Sequence, residues 1–243
     1  MSWTEKARSG SREQMLVYYD ERAAEYDEIY TLGKGPASIP DPQTYLAEAA
    51  VLLEIVRTHA RGNLMDIACG TGYWMPGYAR QCAPVVLFDQ SPRMLDQCHR
   101  RARELSIESK CRFVQGDVFA GLEGCGRFDT ALIGFFLSHV PPEDESRFFG
   151  ILGRLLNPSG RLLILDSVWS PERAKARAKS GTQQRRLNDG RTFEIYKRYF
   201  DHEEIERMAQ AHGIHLSVAS FGRTFLAVEG WFENQQSEGH EGQ

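Results

Sequence analysis

At 243 residues and 42% hydrophobic side chains, the chain has enough apolar material for one sizeable core, and a single domain is the default. A net charge of −4 excludes a chain-wide basic footprint for nucleic acid; no run of ~18 apolar residues and a polar stretch from Met1 to Glu13 leave no expected membrane span or signal peptide. Five scattered cysteines (Cys69, Cys82, Cys98, Cys111, Cys125) lack zinc spacing and read as reduced buried thiols, which points to a cytoplasmic protein.

In chain order, periodicity and breaker residues predict helices over 12–30 and 42–60, a strand over 63–68, a helix over 73–82, a strand over 84–89, a helix over 92–105 and strands over 111–115 and 128–135. A helix over 142–156, a strand over 160–168, a helix over 201–212 and strands over 214–220 and 223–232 complete the series. Alternation of this kind predicts an α/β fold: a seven-stranded, mainly parallel sheet with helices on both faces. The last two strands are joined across Phe221-Gly222 and should pair antiparallel, so one strand runs against the rest. The expected organisation is an N-terminal lid segment over 1–40, a main domain over 41–233 with an insertion at 170–200, and a polar, disordered tail over 234–243.

The densest signal lies in residues 62–75. Asn63 to Ala68 is a short apolar run carrying Asp66, and Cys69 to Gly72 form a tight turn from which a helix can start at Tyr73. Gly70 and Gly72 allow a sharp bend and close approach of a ligand, and the N–H groups that follow favour an anionic group. Met75 stands where a dinucleotide fingerprint requires its third glycine, which argues against NAD. A second apolar run ends at Asp89, nineteen residues after Gly70, at the distance where an acid takes ribose hydroxyls. Ser91 then caps a helix with Pro92 in its first turn. A third run ends in Gly116-Asp117-Val118, and a fourth, from Phe128-Asp129, ends at Gly134-Phe135.

Taken together, residues 62–140 resemble the motif series of class I S-adenosylmethionine-dependent methyltransferases, in particular the small-molecule group that includes ubiquinone/menaquinone-type enzymes. The resemblance implies a Rossmann-like fold with an N-terminal helical lid, S-adenosyl-L-methionine as cofactor, and in-line methyl transfer to a small-molecule acceptor. The cofactor-binding residues it implies are Tyr19, Tyr26, Asp66, Ala68, Gly70, Gly72, Trp74, Asp89, Gln90, Met94, Gly116, Asp117, Val118, Gly134 and Phe135. Asp89 would take the ribose, Asp117 the adenine amino group, and Tyr19 or Tyr26 the cofactor carboxylate. In the family a Tyr-Asp-x-x-Ala-x-x-Tyr-Asp helix often covers the cofactor, and residues 19–27 carry that pattern. Gly33-Lys34-Gly35-Pro36 would be its hinge.

Chemistry beyond positioning needs a base if the acceptor is a hydroxyl or an acidic carbon, and His139, just past the fourth strand, is the best-placed residue. A structural role for the same histidine stays open. His99, His202, His212 and His215 read as solvated, and His59 as a cation at a helix end. Acids and histidines do not cluster in a metal-ligand pattern, so no metal is expected.

From Glu172 to Arg198 the chain holds nine Lys/Arg against three acids, a local charge of +6. A solvated helix over 171–180, a turn at Asn188-Asp189-Gly190 and an alternating stretch over 192–196 are expected there. The segment reads as a charged lid, or as an attractor of an anionic acceptor through Arg185, Arg186 and Arg191. An RNA acceptor, a non-methylating enzyme on the same fold and a silent regulatory subunit remain alternatives; the overall charge argues against nucleic acid. The sequence leaves the oligomeric state, the acceptor and its methylated atom (O, N or C) open.

Overall fold

The computed structural model describes residues 3–31, 42–122, 124–175 and 177–233. The tail from Asn234 and the hinge at Gly33–Pro36 lie outside the described residues. In chain order the elements are α1 (Trp3–Arg22), α2 (Glu28–Thr31), α3 (Pro42–His59), β1 (Gly62–Ile67), α4 (Met75–Tyr78), β2 (Cys82–Asp89), α5 (Pro92–Glu104), β3 (Cys111–Gln115) and β4 (Phe128–Gly134). There follow α6 (Pro142–Leu155), β5 (Leu156–Ser167), α7 (Pro171–Ala174), β6 (Ser180–Arg186), β7 (Thr192–Arg198), α8 (His202–Ala211), β8 (Ile214–Phe221) and β9 (Phe225–Phe232).

Seven strands form one sheet in the order β3-β2-β1-β4-β5-β9-β8. The first five are parallel, and β9 runs antiparallel to both β5 and β8. The chain reverses its direction of travel across the sheet between β1 and β4, which opens a crevice at their carboxyl ends where ligands of such sheets bind. Alternation along the strands divides the core in two: Met65 and Ile67 pack into one face with Val86, Phe88 and Phe148, and Leu64 into the other with Val56, Met75 and Leu87. On α5, Ser91 accepts a hydrogen bond from the Met94 N–H, and Met94, Leu95, Cys98 and Ala102 form the buried stripe. Glu48 of α3 accepts from the N–H groups of Arg223, Thr224 and Phe225 and fixes the β8–β9 turn.

Several predicted elements change. The helix expected over 73–82 is the single turn α4, because β2 already begins at Cys82 and Gly77 lies against Val56 of α3, where an added Cβ would sit 2.7 Å from the valine. The helix expected over 12–30 breaks after Arg22 into turns and then α2, which lets the segment follow the domain surface. The helix expected over 171–180 stops at Ala174; Ser180–Arg186 instead pairs antiparallel with Thr192–Arg198 as a separate two-stranded sheet. Asn188–Gly190 is the turn of that hairpin. His212, expected to be solvated, stacks on Phe149 with ring centroids 4.6 Å apart. Cys111 and Cys125 are only half-buried, while Cys69, Cys82 and Cys98 are buried free thiols. Among the described residues, no helix is long and apolar enough to cross a membrane.

Candidate active site

The turn after β1 has the backbone its sequence requires. Ala68, Gly70 and Gly72 all have positive φ, at 54°, 55° and 71°. At Gly70 an added Cβ would meet only Tyr26 and Met94, at 3.9 and 4.0 Å, so the strand end opens onto space. Gly72 is crowded from the protein side, with the Met75 and Cys98 side chains within 3 Å of such a Cβ. Asp89 ties this turn to the next: its carboxylate accepts from the Gly70 N–H and the Ser91 N–H, both at 2.8 Å. Burial pushes Asp89 up to about 6 against these backbone bonds, with Asp20 adding to the rise. Two bonds leave lone pairs free on the carboxylate. Asp66 is fully buried; its Oδ2 accepts from Tyr78 at 2.8 Å and its Oδ1 has no partner. Burial carries Asp66 up to about 7, the Tyr78 hydroxyl opposing and Asp89 contributing.

The other expected residues surround this turn unevenly. Gly116 N–H bonds to the Asp89 carbonyl, and Asp117 spends one oxygen on the Phe119 N–H. Val118 is buried in the core, and the Gln90 side chain is exposed. Trp74 stacks on Phe135 with centroids 5.8 Å apart and touches Gly134, forming an aromatic wall with Tyr30 and Phe225.

The N-terminal segment docks onto the same crevice, by its aspartates as much as its tyrosines. Asp20 accepts from Ser91 Oγ at 2.7 Å and the Arg93 N–H at 3.1 Å. Asp27 accepts from Thr71 Oγ1 at 2.6 Å and from the Arg101 guanidinium. Tyr26 thereby covers Gly70. Tyr19 does not stand free for a carboxylate: its hydroxyl bonds to His139 Nε2 at 2.7 Å. His139 Nδ1 lies 2.7 Å from the Tyr196 carbonyl, which can only accept, so the ring proton is on Nδ1 and Tyr19 donates to Nε2. Burial, then Lys197, Arg185 and Arg22 hold His139 well below its ordinary pKa, the Tyr196 bond opposing. The histidine is neutral and buried.

The basic segment contributes differently from its three expected arginines. Arg186 is exposed, and Arg191 pairs with Glu21 at 2.8 Å and Asp189 at 2.7 Å. Arg185 points inward, as does Lys197, each under 8% exposed. The alternation of β6 and β7 puts Gln183, Arg185, Ile195 and Lys197 on one buried face, packed on α1 through Tyr18, Leu187 and Phe193. Arg22 of α1 joins them, 6% exposed. Asp20, Asp27, Arg22 and Lys197 were not among the expected site residues. The two aspartates stand in the Tyr-Asp-x-x-Ala-x-x-Tyr-Asp pattern of residues 19–27, and Lys197 sits two residues from Ile195, on its strand face. Among the described residues, no three His, Cys, Asp or Glu side chains gather in a metal-binding group.

Residues 64–160 match a family model described as a methyltransferase domain. The chain is 30% identical over 106 residues to a demethylmenaquinone methyltransferase of Lactobacillus johnsonii, covering 42% of this chain and 43% of that one. It is 32% identical over 117 residues to a ubiquinone/menaquinone biosynthesis C-methyltransferase of Pseudomonas putida, covering 47% and 45%. The matches thus span less than half the length of these curated relatives. Among solved structures, the DhpI-SAH complex superposes with a TM-score of 0.74 at 25% identity over 91% of this chain and 97% of that one. A glycopeptide N-methyltransferase, MtfA, in complex with S-adenosylmethionine shares the fold at a TM-score of 0.54 and 15% identity, over 74% and 93%. In its strand order, its glycine turn and these likenesses, the chain is similar to the class I S-adenosylmethionine-dependent methyltransferases, with the methyltransferase-domain match confined to residues 64–160.

Proposed function

We propose that the chain transfers a methyl group from S-adenosylmethionine to a small-molecule acceptor that bears an anionic group. The observation that carries this reading is the crevice joining Asp66, Gly70 and Asp89. Its parts suit the cofactor: the unpartnered, buried Oδ1 of Asp66 fits an ammonium, Asp89 keeps lone pairs for ribose hydroxyls, and the space beside Gly70 admits a ligand backbone. Asp117, Gly116 and Val118 at the end of β3 would flank the adenine, and Met94 and Tyr26 would close over the turn. When bound, the cofactor supplies a sulfonium-activated methyl group. The protein's part is then to align a nucleophile and exclude water, which the lid and the Tyr30–Trp74–Phe135 wall serve. Where the nucleophile must lose a proton, Tyr19 would relay it: the Tyr19 oxygen takes the nucleophile's proton as the Tyr19 hydroxyl proton passes to His139 Nε2, leaving a neutral tyrosine and an imidazolium.

The anionic acceptor is supported by the inward cations of the hairpin, and Arg191 is spent on Glu21 and Asp189, which weighs against an RNA surface. The test is incubation of the protein with methyl-labelled cofactor and a fractionated small-molecule extract, followed by mass identification of labelled product. Label in an acidic small molecule supports the reading. Label only in a ribonuclease-sensitive fraction, or none in any fraction, overturns it.

A further inference from the structure

Four cations gather where α1 meets the β6–β7 hairpin, with little negative charge to balance them. Arg22 stacks over Tyr18 and Tyr26, with its Cζ 5.7 and 5.1 Å from their ring centroids. Arg185 bonds to Gln183 Oε1 at 2.9 Å and to the Tyr199 hydroxyl at 3.3 Å, and that hydroxyl donates its own proton to Gln183 Oε1 at 3.1 Å. Lys197 reaches Ser138 Oγ and lies 3.4 Å from Asp166. Arg173 leans over the Tyr199 ring at 4.4 Å, and its Nε is buried without a partner. Among the described residues no carboxylate pairs with Arg22, Arg173 or Arg185. Asp166, the acid beside Lys197, already accepts from the Ser138 and Ser167 N–H groups. The Tyr18 hydroxyl is fully buried and makes no hydrogen bond of standard geometry.

Buried cations without counter-ions are costly to the fold and persist where a ligand supplies the charge. The cluster also adjoins the reacting region. Arg22 stacks on Tyr26, which covers Gly70; the Tyr19 ring lies 6.2 Å from that of Tyr26, its hydroxyl bonds to His139, and Lys197 acts on His139 electrostatically. We propose that Arg22, Arg185 and Lys197, with the Tyr18 hydroxyl, form a binding site for an oxyanion, the acidic group of the methyl acceptor, and so hold the acceptor's nucleophile against the Tyr19–His139 pair. This rests on the methyl-transfer reading and names the group that fixes the acceptor. It also makes the acceptor a bridge between α1 and the β6–β7 hairpin.

The local electrostatics agree. Burial would raise the Tyr199 pKa, yet Arg185, Lys197 and Arg173 bring it below its ordinary value. Burial lowers Lys197, and Arg185 and Arg173 add to this against Asp166 and Tyr199. His139 faces Tyr19 and Arg22 of α1, Arg185 of β6 and Lys197 of β7, with Asp166 of β5 behind Lys197. An anion among these cations cancels their effect on the imidazole and raises its proton affinity, so the base gains strength only once an acidic acceptor is seated.

The test uses the full chain saturated with S-adenosylhomocysteine and titrated calorimetrically with inorganic phosphate and, separately, acetate. Expected is one saturable oxyanion site, weakened about 10- to 100-fold in Arg185→Gln and in Arg22→Gln, as for loss of a charge-assisted hydrogen bond, and unchanged in the exposed Arg186→Gln. In the unmodified protein the ring signal absent from His139→Gln should titrate at higher pH with the anion present, a readout that survives even if both arginine variants misfold. Binding of S-adenosylhomocysteine without any saturable oxyanion binding overturns the site and leaves the methyl-transfer reading standing. So does oxyanion binding that folded Arg185→Gln retains in full. Failure to bind S-adenosylhomocysteine at all overturns the underlying reading instead.

Discussion

Replacing Asp27 with Asn should unlatch the N-terminal helices from the crevice while leaving the sheet folded. Asp27 accepts from Thr71 Oγ1 at 2.6 Å with one oxygen and holds the Arg101 guanidinium with the other. The Asp27 and Arg101 side chains are 27% and 24% exposed, so with solvent screening their ion pair contributes no more than about 1 kcal/mol. Exchanging the charge-assisted bond from Thr71 for a neutral one costs about another 0.5–1 kcal/mol. The total of about 1.5–2 kcal/mol corresponds to roughly a 10- to 30-fold shift in lid docking. Amide hydrogen exchange over residues 12–31 should accelerate by that factor, and S-adenosylhomocysteine should bind correspondingly more weakly, because Tyr26 no longer covers Gly70. Unchanged exchange and affinity would refute the latch. Equal acceleration across β1 to β5 would show instead that Asp27 supports the whole fold.

Other substitutions separate binding from folding. Gly70→Ala should cost only about 1–2 kcal/mol of stability, from a left-handed residue gaining a Cβ, yet remove most cofactor affinity; retention of affinity in calorimetry would show that the space beside Gly70 is not the ligand's. Gly72→Ala should lower the melting temperature further, since its Cβ meets Met75 and Cys98 within 3 Å. Asp66, raised to about 7 chiefly by burial, binds its proton more tightly folded than unfolded, so it favours the fold below the unfolded pKa and penalises it as pH rises through about 7. Asp66→Asn should therefore raise the melting temperature of the ligand-free protein near pH ~8 and lose that gain near pH ~4; a pH-independent difference would contradict the buried, partner-poor carboxyl. If the acceptor loses a proton, His139→Ala should lower kcat by about 10²- to 10⁴-fold with cofactor affinity nearly intact, whereas a small loss of rate together with lost stability would leave His139 as a structural link between Tyr19 and Tyr196.

The sheet was legible because its strands are apolar runs closed by punctuation. Asp66-x-x-Cys69-Gly70-x-Gly72, Asp89-x-Ser91-Pro92 and Gly116-Asp117 each mark a strand's carboxyl end, and a parallel sheet brings those ends together. The errors fall where local pattern and tertiary placement diverge. Residues 180–186 read as Ser-Gly-Thr-Gln-Gln-Arg-Arg, which has no apolar alternation, because its buried face carries Gln183 and Arg185. That face is polar for a reason outside local propensity: it packs on α1, where Arg22 is also buried. The tyrosine stripe of the lid was visible as periodicity, but which hydroxyl meets His139 depends on a contact across 120 residues of sequence. The surface arginines 186 and 191 weighed equally with Arg185 in the charge count, and only the pleat separates the one that turns inward.

The central claim, that the crevice at the ends of β1, β2 and β3 holds S-adenosylmethionine, is tested most directly by calorimetric titration with S-adenosylhomocysteine. Expected is one site per chain, weakened by about 1.5–3 kcal/mol in Asp89→Ala, and no heat with NAD. Absence of binding, an affinity indifferent to Asp89, or tight binding of NAD in its place would contradict it.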